Sequence, residues 1–229
     1  MATFGLVHGA QHGAWCWECL TPELEQRGHE VVAVDLACDD PEASIATYAS
    51  VVVDALDGRD DVVLVGHSLG SLTIPVVASR RPVRRLIFLC SVPTGPGPAI
   101  DADLGSMVTP AFAAAARTYD DAGSESLAPD DAIAVWYDDC PAEDARRAVA
   151  RLRPQSRRPL TEPSPLERWP DVPSTVVLAR DDRCVNMEWA VAAAEARTAE
   201  PPTLVDGGHS PFLSRPAALA EVLNAIVTG

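Results

Sequence analysis

A serine hydroxyl is a poor nucleophile at neutral pH. It needs an imidazole to take its proton and a carboxylate to hold that imidazole in the right tautomer. Three places in the chain could supply these groups, and they occur in the order serine, aspartate, histidine. Ser68 stands in Gly66-His67-Ser68-Leu69-Gly70, Asp181 and Asp182 in Arg180-Asp181-Asp182-Arg183, and His209 in Gly207-Gly208-His209-Ser210-Pro211. Each also has a plain structural reading: a Gly-Ser turn, solvent-facing partners for Arg180 or Arg183, and an imidazole bonded to a carbonyl. The other histidines suit the base less well. His29 reads as a turn residue, His67 has its direction fixed by its turn, and His8 and His12 flank the first loop as braces. Asp206 is the second choice for the acid, since it lies on His209's own loop.

These residues gain weight from the elements that must position them. Val62-Val63-Leu64-Val65 reads as a short buried strand, and a helical run from Leu69 to Ala78 follows the Gly-x-Ser-x-Gly. Strand, Gly-x-Ser-x-Gly, helix is the context of a nucleophile elbow, in which a tight turn lifts the hydroxyl clear of the backbone. The same turn aims the Leu69 amide at an oxygen that develops charge. A second oxyanion donor is required. The small-residue loop after the first strand, His8-Gly9-Ala10-Gln11-His12-Gly13-Ala14-Trp15, offers the Ala10 amide.

The whole chain supports such a frame. Phe4–His8, Val31–Asp35, Val62–Val65, Arg84–Cys90, Thr175–Ala179 and Pro202–Asp206 read as about six strands that alternate with helices. Helices are expected from the first loop to about Arg27, from Ile45 to Leu56 with Ser44 as cap, from Glu188 to Arg197, and from Ala217 to Ile226. That alternation implies a parallel α/β sheet with helices on its faces. In such sheets the reacting groups gather beyond the carboxyl ends of the strands. The rhythm breaks between Val92 and Pro173, where short helical pieces without strand signal sit among prolines. The expected division is a core of residues 1–92 and 173–229 with an inserted helical cap at 93–172.

Composition excludes several functions. The chain has 229 residues and a net charge of −15, which argues against nucleic acid or an anionic membrane as partner. All 18 basic residues are arginine; without lysine there is no Schiff-base chemistry and no Walker-type phosphate loop. No signal peptide or membrane span is apparent, so the expected location is cytoplasmic and the six scattered cysteines are expected to be reduced. Cys16-x-x-Cys19 reads as packing, and no Cys/His set has zinc spacing.

At this point the residues resemble the α/β-hydrolases, end to end. More narrowly, the chain is similar to the branch that holds plant methyl esterases, hydroxynitrile lyases and bacterial esterase-like relatives. Four segments carry the resemblance: Val7–Trp15, Gly66–Gly70, Trp136–Asp144 with Ala150–Pro154, and Gly208-His209. The resemblance implies that the last residue of Ala179-Arg180-Asp181-Asp182 is the acid, that the Ala10 and Leu69 amides form the oxyanion hole, and that the cap shapes the pocket. Gly9, Gln11, Val92 and Trp136 are the expected lining. The family's lyases carry lysine after the base histidine and threonine in the first loop; here Ser210 and Gly9 stand there. The expected function is therefore cofactor-free and metal-free hydrolysis of small carboxylic esters by Ser68, His209 and Asp182. The alternatives are a non-hydrolytic or thioesterase-type member of a biosynthetic pathway and a ligand receptor with little turnover.

Overall fold

The computed structural model describes residues 1–198 and 200–229. Six strands form one sheet: β1 (Thr3–Val7), β2 (Glu30–Val34), β3 (Val62–His67), β4 (Arg85–Leu89), β7 (Ser174–Ala179) and β8 (Thr203–Val205). Their order is β2-β1-β3-β4-β7-β8 and every pairing is parallel. This is the α/β fold expected from the sequence.

The central strands are apolar on both faces because both faces are covered. Side chains alternate across a strand, so Val62 and Leu64 of β3 join one core while Val63 and Val65 join the other. On the first face lie α2 (Ile45–Ala55), α3 (Ile74–Ala78) and α9 (Met187–Thr198). On the second lie α1 (Leu20–Glu25), α10 (Pro211–Ser214) and α11 (Pro216–Thr228). Ser44 caps α2 as expected, its Oγ accepting the Thr47 amide at 3.1 Å.

Two expected helices are shorter than the sequence suggests. The first loop leads into a 3-10 turn (Ala14–Trp17) before α1, and the elbow into a 3-10 turn (Ser68–Leu72) before α3. Segment 93–172 carries α4 (Leu104–Met107), α5 (Pro110–Ala114), α6 (Pro129–Trp136), α7 (Ala142–Val149) and α8 (Arg158–Thr161). It also contains strands, contrary to expectation. β5 (Arg117–Tyr119) pairs antiparallel with β6 (Glu125–Leu127). The turn is built by Asp120, whose Oδ1 accepts from the Ala122 and Ser124 amides, and by Gly123 at φ 80°. The segment buries Trp136, Tyr137 and Leu127 in a cluster packed against Trp15 and Cys184 of the flanking chain.

Among the described residues, no helix is long and apolar enough to cross a membrane, and all six cysteines are free thiols.

Candidate active site

β3 delivers Ser68 at its carboxyl end. Ser68 has φ 47°, in the left-handed region where a Cβ is strained. Gln11 (63°) and Cys90 (48°) share that conformation, and all three line one cavity. Strain of this kind persists where the surrounding structure over-determines it. Here the glycines are what allow the close approach. A Cβ on Gly70 would lie 2.4 Å from the His8 carbonyl oxygen and 2.6 Å from that of Val7. Gly70→Ala is therefore expected to cost roughly 1–3 kcal/mol through overpacking. A thermal melt should show it as a fall of roughly 2–4 °C per kcal/mol.

Asp182 and His209 meet at the ends of β7 and β8. His209 Nδ1 lies 2.8 Å from Asp182 Oδ2, with both side chains buried. The other carboxylate oxygen, Asp182 Oδ1, accepts the Cys184 amide at 2.7 Å and the Val185 amide at 2.9 Å. With Oδ1 taken up by these two amides, Oδ2 accepts from His209, so His209 Nδ1 is the protonated nitrogen and Nε2 is free to accept a proton. Burial, the largest single influence, opposes charge on His209, and Asp182 and Cys184 together outweigh it, so the imidazole titrates well above its ordinary value. Asp181 is exposed, and Asp206 is exposed and paired with Arg180 at 3.3 Å. Neither faces the imidazole.

Ser68 Oγ and His209 are not hydrogen-bonded to each other among the described residues. Such bonds are often long without substrate and tighten in the complex. What joins the two loops is His67, whose Nε2 donates to the His209 carbonyl oxygen at 2.9 Å. A loop-to-loop bond beside Ser68 thus holds the His209 backbone over the sheet's end.

The cavity has a volume of about 480 Å³. Ser68, Leu69, Ala10 and Gln11 line it, together with the apolar Leu72, Phe112, Trp136, Val185 and Trp189. Arg117, Glu125, Asp101 and Arg157 also border it, already paired with one another at 2.9–3.5 Å. Of the expected lining, Gln11 and Trp136 are there and two residues are not. Gly9 lies behind the wall, where a Cβ would meet His67 Nδ1 at 2.8 Å and Ser68 Cβ at 3.0 Å. Val92 is buried in the core on the α2 face. The sequence reading missed Phe112, Val185, Trp189 and Cys90. Only the distant pairing of segments places them together, and no local spacing signals it.

The oxyanion candidates have consistent surroundings. Leu69 N–H lies in the first turn of a 3-10 helix, where amides lack helical acceptors. Ala10 N–H has no acceptor among the described residues, although the Gly9 and Ala10 carbonyls and the Gln11 amide beside it are bonded.

Among the described residues, one group has metal-ligand chemistry. Atoms of His67, Cys90 and His209 lie within 4.8 Å of one another. His67 Nε2 and His209 Nδ1 are already committed to hydrogen bonds, and burial raises the Cys90 thiol well above its ordinary value. With its thiol held neutral, the trio lacks the thiolate that such a cation site would use.

Three further histidines are buried and neutral. Burial lowers His8 to about 4, His12 to about 3 and His67 well below its ordinary value. The unfolded chain binds these protons near pH 6.5 and the folded chain does not, so each contributes full stability above pH 6.5. Below that, each is expected to remove up to about 1.4 kcal/mol per pH unit. The loss from His8 levels off near pH 4 and that from His12 near pH 3. His209 has the opposite shift; its contribution is already complete below pH 6.5 and flat in this window. Urea midpoints measured from pH 7.5 to 4.5 should therefore fall steeply below pH 6.5. A constant midpoint would contradict the neutral assignments.

Comparison with known proteins agrees with this fold. Residues 6–222 match the model of the alpha/beta hydrolase family. Methyl jasmonate esterase 1 of Vitis vinifera is 27% identical over 250 residues, covering 98% of this chain and 96% of that protein. The alpha-hydroxynitrile lyase of Arabidopsis thaliana is equally similar, 27% identical over 249 residues, with 98% and 96% covered. The crystal structure of polyneuridine aldehyde esterase superposes with a TM-score of 0.84 over 99% of both chains at 22% identity, a likeness of fold.

Proposed function

The chain belongs to the alpha/beta hydrolase family, and we propose that it is a serine esterase acting on small carboxylic esters. The observation that carries this reading is the buried Asp182–His209 pair, tied through the neighbouring His67 to the turn of a left-handed Ser68 that lines an apolar cavity. Ser68 Oγ attacks the ester carbonyl as His209 Nε2 takes its proton. Asp182 keeps the imidazole in the accepting tautomer and stabilises the imidazolium that forms. The Ala10 and Leu69 amides bind the developing oxyanion. His209 returns the proton to the leaving alcohol, and water admitted through the cavity repeats the sequence on the acyl-enzyme. The apolar wall supports an ester with an aryl or alkyl body, since the charged groups at its border are already paired.

Similarity to both an esterase and a lyase at 27% does not separate hydrolysis from lyase chemistry. The residue after the base does bear on it: Ser210 is buried, uncharged and without a hydrogen bond through its Oγ. It supplies no cation to hold a departing cyanide, which favours hydrolysis. The test is labelling with a fluorophosphonate followed by a panel of aryl and alkyl esters. Wild type should be labelled at Ser68 and turn over at least one ester class. An unlabelled Ser68 would overturn the reading.

A further inference from the structure

An oxyanion donor must be aimed before the reaction begins. In the proposed mechanism one donor is Ala10 N–H, which belongs to the Gly9–Ala10 peptide. A peptide is planar, so whatever fixes its carbonyl fixes the direction of its N–H. The Gly9 carbonyl oxygen accepts from His8 Nδ1 at 2.8 Å. His8 can donate there only as the Nδ1–H tautomer. Leu36 enforces that tautomer, because its amide donates to His8 Nε2 at 2.9 Å. The side chain of Asp35 lies 3.7 Å from the same nitrogen, but it is mostly exposed and bonded to Arg153 at 3.1 Å.

The next peptide is held the same way. The Ala10 carbonyl oxygen accepts from His12 Nδ1 at 2.7 Å. His12 Nε2 accepts from the Tyr137 hydroxyl at 2.7 Å, which fixes the tautomer. Trp15 stacks on the His12 ring with centroids 5.6 Å apart, and Phe212 and Trp136 close around it. Gln155 Oε1 takes the Gln11 amide at 3.2 Å. Both peptides flanking the Ala10 Cα are thereby clamped by a buried imidazole of enforced tautomer, while Ala10 N–H itself has no acceptor among the described residues.

We propose that His8 and His12 are positioning residues that aim Ala10 N–H at the oxyanion, and that Tyr137, from segment 93–172, sets the second of these clamps. The inference rests on the serine-esterase reading of the same site. It assigns to the inserted segment a role beyond enclosing the substrate: it holds the catalytic backbone in register.

Hydrolysis of p-nitrophenyl acetate, per active site titrated with a fluorophosphonate, tests it. His12→Phe keeps the ring volume and loses the donor; it should lower kcat about 10- to 100-fold with KM within about threefold, since only a transition-state interaction is lost. His12→Asn keeps an N–H near the Nδ1 position and should restore most of that loss. His8→Leu should act as His12→Phe does, and His8→Asn should recover. Tyr137→Phe should lower kcat roughly 3- to 10-fold, because it loosens only the tautomer lock. Affinity for an alkyl trifluoromethyl ketone, whose adduct bears the oxyanion, should fall in parallel with kcat. A merely structural role would lower the melting temperature and the titrated fraction but leave kcat per active site unchanged. If His12→Phe does not fold, Tyr137→Phe decides. Wild-type kcat and ketone affinity in folded variants would overturn the inference alone. Survival of wild-type activity in Ser68→Ala would overturn the esterase reading and this inference with it.

Discussion

Ser68→Ala is expected to lower kcat for ester hydrolysis on the order of 10⁶-fold, the scale set by removing the nucleophile of a serine hydrolase. The substitution deletes one oxygen that makes no hydrogen bond within the described structure, and alanine fits wherever serine does. The turn's geometry is set instead by neighbours: Gly70 against the His8 and Val7 carbonyls, and His67 bonded to the His209 carbonyl. The melting temperature should therefore stay close to that of wild type, as should KM or the affinity of a non-hydrolysable substrate analogue. A folded Ser68→Ala protein with substantial activity would show that another group attacks.

Asp182→Asn should be nearly as severe, on the order of 10⁴-fold in kcat, through the wrong tautomer. The oxygen of the introduced amide can still accept the Cys184 and Val185 amides that Asp182 Oδ1 accepts at 2.7 and 2.9 Å. That leaves the amide nitrogen facing His209 Nδ1. An N–H there needs a bare Nδ1, which moves the imidazole proton to Nε2, where it blocks the acceptance of the serine proton. The pH profile should move as well. In wild type, Asp182 holds His209 well above its ordinary value, so kcat/KM should rise with pH along a limb that lies above pH 6.5 as the imidazole loses its proton. Removing the carboxylate takes away a raising influence while burial remains, and the limb should shift to lower pH. An unchanged limb and a modest loss of kcat would point to a different acid.

The sheet was legible because its strands are covered on both faces and so read as unbroken apolar runs, Val62–Val65 and Leu86–Leu89 above all. Ser68 and Asp182 stand out as candidates because each follows such a run, whereas His209 follows the short strand Thr203–Val205 and stands out by its Gly207-Gly208 loop. The choice of Asp182 over Asp181 was not a matter of local pattern; it came from the family resemblance, and burial of Asp182 against exposure of Asp181 accords with it. Segment 93–172 was the hardest to read. Its hairpin has only three residues per strand, too few for an alternation to show, and it depends on Asp120 and Gly123 to turn. The cavity wall was opaque for another reason. Phe112 and Trp136 of that segment face Val185 and Trp189, which follow β7, and nothing in either stretch marks the other. His8 and His12 could be read as braces, but what they brace is visible only in their carbonyl partners.

The central claim is that hydrolysis proceeds through an ester of Ser68. Rapid mixing with p-nitrophenyl acetate, acid quenching and mass spectrometry of the digested protein test it most directly. The predicted result is a burst of p-nitrophenol equal to the active sites, with one acetyl group on the peptide that contains Ser68. Turnover with no burst and no acylated peptide, or with the acetyl group on Cys90 or a histidine, would contradict it.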